Sequence, residues 1–461
     1  MSMARSAIRR ILAALIALGL FQAGPIPVRS AWAAQCVAGP LPIQAQPAAW
    51  FPENGLLAWQ AGRSFLQAGR SSEALCFFDH ARLQLGGVAQ LDLDLGDAYA
   101  QNGDLEQAMA HWRSAADLGG EPESILRRLL PVYESRQQWA ELADGLTRWI
   151  AIHPLDSKAR YRLALLQATR DPASAADELN ALASQHGESW SQAQDLAGII
   201  STALEQGGEA FALARVGEFL LRVGEPSLAQ PALQAALDLN PGYGEALAYL
   251  GLAREQAGRP AAADYAQAVV LSPDSPQAHL LYGSFLSRQG DVANARLELD
   301  RAWVLDSHSW AIAVERGRLE FSAGELSAAE TWYAHAVQVA PDSEEAWLAR
   351  AAFYIGNQIR VNRDGIASAR EALARAPADP RALDLLGLAW YLEGDLPLAE
   401  RMFWRALSVE PTYAAGYLHL GMLAEARGDR AAARSYYQAA LHLAQGQPLG
   451  DEAQAALARL P

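Results

Sequence analysis

The sequence predicts an all-α chain built as a solenoid of stacked antiparallel helix pairs. Three observations predict it. The same residue types return with a period close to 34. Each period holds two amphipathic stretches of about a dozen residues, apolar at i, i+3, i+4 and i+7. A glycine followed by an acid, or a proline, falls between the stretches. The Ala- and Leu-rich composition favours helix. A length of 461 residues is too great for one ordinary core. A repeat array escapes that limit, because each unit buries its apolar face only against its neighbours.

The repeating pattern is a small residue, then an aromatic or leucine, an alanine, a second aromatic or leucine, another alanine and a breaker. Gly96, Tyr99, Ala108, Trp112, Ala115 and Gly120 are one instance. Gly387, Trp390, Ala399, Phe403, Ala406 and Pro411 are another. The leading position recurs at Gly62, Gly96, Leu130, Ala164, Gly217, Gly251, Gly283, Gly317, Ala351, Gly387 and Gly421. The steps are 34, 34, 34, 53, 34, 32, 34, 34, 36 and 34.

Each residue type has a packing reason. The small residue of the first helix faces the small residue that opens the second, at the closest approach of the two helices. The aromatic of the second helix fills the wedge between them. Proline stops the second helix, as at Pro154, Pro241, Pro273, Pro341, Pro377 and Pro411. In the turn, glycine supplies the left-handed C-cap and the acid that follows caps the next helix, as in Gly103-Asp104, Gly224-Glu225, Gly324-Glu325 and Gly394-Asp395.

With these residues in place, residues 55–447 resemble the tetratricopeptide repeat, in about eleven units. The resemblance implies a right-handed superhelix. It also implies a concave groove, lined by the first helix of each unit, that takes an extended peptide or a partner helix. Carrying the family's groove positions over gives Tyr249, Leu252, Leu280, Arg288, Val314, Arg318, Phe321, Leu348, Ile355, Arg381, Asp384, Leu388, Tyr391, Leu418 and Met422 as candidate contacts. The stretch from Phe321 to Tyr391 is apolar for a groove, which points to a ligand with aliphatic or aromatic anchors. Phe321, Ile355 and Tyr391 either face that groove or pack against neighbouring helices. The N-terminal half offers a polar set: Trp59, Arg63, Asp94, Asp97, Arg127, Arg128 and Arg162. The paired Lys and Asn of the family's carboxylate clamp are absent, which argues against a chaperone-tail adaptor.

The period slips in informative places. The step of 53 leaves room for an irregular extra helix in residues 187–209, between an N-terminal array, 55–186, and a C-terminal array, 210–447. That helix is either a joint or a decayed repeat. The step of 36 reflects a longer polar turn at residues 356–365. Residues 448–461 predict a capping helix over the last apolar face.

The N-terminus reads as an export signal over residues 1–33. Arg5, Arg9 and Arg10 precede an apolar run, 11–21, and Ala31-Trp32-Ala33 matches a cleavage site, so the segment is either removed after Ala33 or kept as an anchor. Residues 34–54 form a Pro-rich leader. The protein is therefore expected outside the cytoplasm, periplasmic or secreted, with no membrane insertion after signal cleavage. Cys36 and Cys76 are the two cysteines. Outside the cytoplasm they are able to bridge the leader to the first repeat, or to remain two thiols.

Charge and motifs exclude several function classes. Net charge is −15, and loss of Arg5, Arg9, Arg10 and Arg29 takes it to −19. Such a surface repels phosphate backbones, so no nucleic-acid partner is expected. The nine histidines are scattered, without H-x-x-x-H or H-E-x-x-H. No phosphate loop or nucleophile elbow is present. No catalytic residue, cofactor or metal is expected. Export joined to a non-catalytic solenoid predicts a protein- or peptide-binding scaffold of the cell envelope. The alternative is a regulatory or substrate-presenting subunit of a separately encoded envelope enzyme, such as a glycosyltransferase or a polysaccharide-export system. A third reading, glycan binding, rests on stacking by Trp59, Trp347 and Trp390.

Overall fold

The structure is a computed structural model that describes residues 36, 37, 46, 53–185 and 190–460. The expected signal, 1–33, lies outside the described residues, as do most of the leader and the first residues of the expected extra helix. Among the described residues the chain is helical throughout, with no strand. It divides into two compact units, Met1–Gly198 and Ile199–Pro461.

The first unit contains four helix pairs: α1 (Gly55–Gln67) with α2 (Ser71–Leu85), α3 (Ala89–Gln101) with α4 (Leu105–Asp117), α5 (Pro122–Ser135) with α6 (Trp139–Ile152), and α7 (Ser157–Ala168) with α8 (Pro172–Ser184). Next comes α9 (Trp190–Arg222), broken at Gly208, where the backbone leaves helical geometry. A disulfide joins Cys36 to Cys76 in α2 with Cα atoms 5.5 Å apart. It draws Val37 into the core formed by Phe65, Phe77 and Leu91.

The second unit continues with α10 (Pro226–Leu239), α11 (Gly244–Gln256), α12 (Ala262–Leu271), α13 (Pro276–Arg288), α14 (Val292–Leu305), α15 (Trp310–Ser322) and α16 (Leu326–Val339). It closes with α17 (Glu344–Gly356), α18 (Ile366–Arg375), α19 (Pro380–Leu392), α20 (Leu396–Val409), α21 (Ala414–Ala426), α22 (Arg430–Leu443) and α23 (Pro448–Arg459). From α11 to α21, each odd-numbered helix packs on its hairpin partner and also on the next odd-numbered helix. The odd-numbered helices therefore form one continuous face.

Small residues set the spacing within each hairpin. A Cβ on Gly387 would lie 2.5 Å from the Phe403 ring, and one on Gly96 2.3 Å from Trp112. The ring, rather than the small residue opening the second helix, is thus the nearest neighbour of the glycine. The alanine comes next and contributes its carbonyl: Ala108 O lies 3.0 Å from the same Cβ position on Gly96. One hairpin reverses this arrangement. Leu130 of α5 stands at the small position, and Gly145 of α6 makes room for it. Ala108, Ala115, Ala295, Ala302, Ala399 and Ala406 are all wholly buried, because the helices that cross them leave no room for a larger side chain.

The turns divide by acid type. Gly103 and Gly394 take φ of 85° and 83°, a conformation that costs glycine nothing and other residues roughly 1–2 kcal/mol. After glycine, aspartate caps the helix: Asp104 accepts from the Gln107 amide at 3.1 Å and Asp395 from Leu398 at 3.0 Å. Glu225 and Glu325 form no side-chain cap. The expected capping acid is therefore an aspartate function; the extra methylene of glutamate spoils the geometry of that short ring. Pro154, Pro341 and Pro411 each follow a helix end at a distance of two residues.

The long turn at 356–365 is well packed rather than a free polar loop. It contains a π-helical turn, Val361–Gly365, whose Val361 is buried. Arg360 pairs with Glu330 of α16 and lies over the Tyr354 ring at 5.4 Å.

Candidate binding groove

Five odd-numbered helices of the second unit converge on one cleft of about 450 Å³. Leu252 of α11, Leu280 of α13, Val314 of α15 and Leu348 of α17 supply apolar surface. Arg288, Arg318 and Arg381 stand around it, from α13, α15 and α19. The one-turn spacing of these residues on successive helices is what brings them to a single face.

Each arginine is held by an acid. Arg288 makes a two-pronged pair with Glu255, at 2.9 and 2.8 Å. Arg318 bonds Glu315 at 2.6 Å. Arg381 lies 2.5 Å from Asp379 and 3.6 Å from Glu344. The guanidiniums are thereby fixed in direction while their charge is largely balanced. The cleft offers an apolar strip with oriented donors, a chemistry suited to aliphatic side chains on a polar backbone.

Glu344, beside Arg381, carries a displaced proton. Burial, and then its bond to Asp379, push its carboxyl up to about 7. Burial also pushes Asp379 up, but bonds from Arg381 and Glu344 outweigh it and hold Asp379 below its ordinary value. A carboxyl raised on folding stabilises the fold fully below its unfolded value, near 4.5, and loses that contribution as pH rises to about 7. Asp379 changes state only below about 3.8, outside this window. The urea midpoint should therefore fall between about pH 5 and 7.5, and Glu344→Gln should flatten that slope. Parallel slopes in the two proteins would place the proton elsewhere.

The tetratricopeptide-repeat family profile matches residues 218–276, 261–309 and 394–448, which include α11, α13, α14 and the α21–α22 hairpin. These stretches of the chain are tetratricopeptide repeats. The repeat is generally a non-catalytic protein-interaction scaffold, and no enzyme family matches the chain. No curated protein sequence matches it. Among solved structures, the chain is similar to yeast Tom70 at 16% identity, over 88% of this chain and 96% of that one, with a TM-score of 0.48. It is also similar to a tetratricopeptide-repeat protein from Parabacteroides merdae, at 15% identity over 55% of this chain and 100% of that one, TM-score 0.42. PilW, described as a widely conserved type IV pilus biogenesis factor, matches at 19% identity over 40% of this chain and 86% of that one, TM-score 0.34.

Of the carried-over positions, Leu252, Leu280, Arg288, Val314, Arg318, Leu348 and Arg381 share the cleft. The other candidates lie apart from it. Ile355 is wholly buried and belongs to the core with Val361 and Ile366, which corrects its assignment to the groove. The reason is the long turn, which folds back over the last turn of α17: a Cβ on Gly365 would meet Ile355 Cγ1 at 2.9 Å. Asp384 is also corrected. It is 4% exposed, bonds His419 Nδ1 at 2.8 Å and accepts from the Tyr413 hydroxyl at 3.4 Å. Tyr249 is buried, which pushes its phenol well above the ordinary range.

Phe321 is half-buried and meets Phe353 edge-on at 5.4 Å. Leu388 and Tyr391 pack against the Phe403 cluster. Leu418 and Met422 pack with Tyr437 and with Ala453 of α23. The apolar strip expected between Phe321 and Tyr391 is therefore divided among hairpin cores. The cleft instead takes in Leu281, Trp310, Ala311, Glu345 and Ala349, which the carried-over positions omit. Trp310 and Glu345 stand in the first turns of their helices, just ahead of those positions.

The polar set of the first unit is paired within that unit, Arg127 with Glu123 and Arg162 with Glu134. The Trp59 indole donates to Asp94 at 2.7 Å, Arg63 lies 3.4 Å from the same carboxylate, and Arg128 grips Asp97 at 2.6 and 2.7 Å. Trp347 lies under the guanidiniums of Arg350 and Arg375, and Trp390 under that of Arg370. A sugar ring would have to displace these partners. Among the described residues, no group of three or more His, Cys, Asp or Glu is placed to hold a metal ion.

Proposed function

We propose that this protein is a non-enzymatic scaffold of the cell envelope that holds a segment of another protein in the cleft around Val314. The observation that carries the reading is the convergence of five successive odd-numbered helices on one apolar strip flanked by oriented arginines. The extracytoplasmic part of the reading draws support from the basic and apolar pattern of residues 1–33 and from the Cys36–Cys76 bridge, which suits an oxidising compartment.

The test is photo-crosslinking in cells. A photoreactive residue is placed at Arg318 or Arg381 in the cleft, and as a control at the exposed Leu297 of α14. The expected result is one envelope protein captured from both cleft positions and not from Leu297. Equal capture from all three would remove the cleft as the binding face. A captured partner that is itself an enzyme would favour the regulatory-subunit alternative.

A further inference from the structure

A second cleft lies wholly within the first unit. Its volume is about 750 Å³, and it is lined by α4, α5 and α6. Ile125, Leu126, Leu129 and Tyr133 of α5 supply its apolar lining, each no more than 7% exposed.

The cleft exists because two bridging side chains are missing. In two other intervals, the second helices of consecutive hairpins are joined by large or polar groups. Trp303 of α14 meets Trp332 of α16 edge-on at 5.1 Å. Arg82 of α2 bonds His111 of α4 at 3.0 Å. Counted from the leading positions Gly96 and Leu130, Ala116 and Gly145 fall in these same two places, and both line the cleft. Gly145 is fixed by its neighbour: any Cβ there would come within 2.7 Å of Leu130 Cδ2. The large residue at 130 therefore enforces the small one at 145, and the space that a pair of indoles fills in the sister interval stays open.

The rim adds a charge preference. Arg148 is engaged by Asp144 at 2.9 Å, and Arg113 donates to the Tyr133 hydroxyl at 3.3 Å. Asp117 of α4 and Glu141 of α6 are exposed and have no ion-pair partner among the described residues. We infer that this cleft is a second docking site, which receives an aromatic side chain of a partner protein carried next to a basic residue. The ring fills the place of the missing indoles, and the base meets Asp117 and Glu141. Ring burial supplies the affinity, since exposed ion pairs add little. The carboxylates supply the selectivity, reinforced by a net charge of −15.

The test titrates the full chain with the capped dipeptides acetyl-Arg-Trp-amide and acetyl-Glu-Trp-amide, followed by ligand-observed NMR. The Arg-Trp peptide should bind about tenfold more tightly, a difference of about 1.4 kcal/mol. Ala116→Trp should abolish binding and raise the melting temperature, because its indole covers the α5 surface. Glu141→Lys combined with Asp117→Lys should erase the tenfold preference. Arg318→Glu, in the groove, should leave both affinities unchanged, so that this site and the groove succeed or fail separately. If Ala116→Trp lost its helical circular dichroism, Ala116→Leu would carry the same expectation. Equal affinity for the two peptides, or undiminished binding to a folded Ala116 variant, overturns the inference.

Discussion

Glu320→Ala should destabilise the second unit by about 3–5 kcal/mol, the usual cost of removing one partner from a buried ion pair. The Glu320 side chain is 6% exposed and serves two arginines. Arg296 reaches it at 3.1 and 2.7 Å, and the buried Arg316 bonds it from the preceding turn of α15. Arg316 also bonds Asp300 at 2.8 Å and lies over Trp332 at 5.5 Å. Without Glu320, the buried Arg316 guanidinium keeps only the half-exposed Asp300, and Arg296 loses its carboxylate. Glu320→Gln keeps the volume and should fall between wild type and alanine. The readout is the urea midpoint, with amide exchange on α14–α16 locating the loss. A change in Glu320→Ala below about 0.5 kcal/mol would show that the cluster does not hold the hairpins together.

Phe403→Ala should cost a similar amount, about 3–5 kcal/mol, for a different reason. Phe403 is wholly buried and touches the backbone of α19 at Gly387. Truncation removes the side chain's burial and leaves a cavity that two crossing helices cannot close. Gly387→Ala is overpacked in wild type, since its Cβ would sit 2.5 Å from Phe403 Cε1. That strain of about 1–3 kcal/mol outweighs the roughly 1 kcal/mol that alanine gains in a helix interior. In the Phe403→Ala background the clash is gone, so Gly387→Leu should recover part of the loss. The two sites should be coupled by more than about 0.5 kcal/mol in a double-mutant cycle. Additive effects would mean that the ring and the glycine do not share one space. The hairpin of Leu130 and Gly145 shows that the fold tolerates this exchange.

The hairpins and their order were readable from sequence because packing forces the pattern. Glycine, alanine and an aromatic recur where two helices cross, and proline and Gly-Asp recur where a helix must end. What sequence did not reveal is depth. The first-helix positions mark a face, but whether a side chain on that face meets solvent depends on the neighbouring helix and turn. Ile355 is covered by a turn whose extra residues were visible, but whose π-helical path was not. Asp384 is captured by His419 from the next odd-numbered helix, a contact between residues 35 apart. The open space at Ala116 and Gly145 has a sequence signal, two small residues in the places of Trp303 and Trp332. That signal acquires meaning only when the structure shows that those tryptophans touch.

Neighbour-to-neighbour packing has a consequence for how such a chain changes over generations. In the second unit each hairpin packs on the one that follows it, and Ala453 and Ala456 of α23 pack in one cluster with Tyr437. Length is therefore loosely tied to stability in such an array: adding or removing a whole module by in-frame duplication or excision replaces one neighbour interface with another of the same kind. The clefts are not interchangeable in this way, because each depends on the particular pair of modules that meet there. Selection on recognition thus acts on module order, while selection on folding acts on the residues that every module has in common.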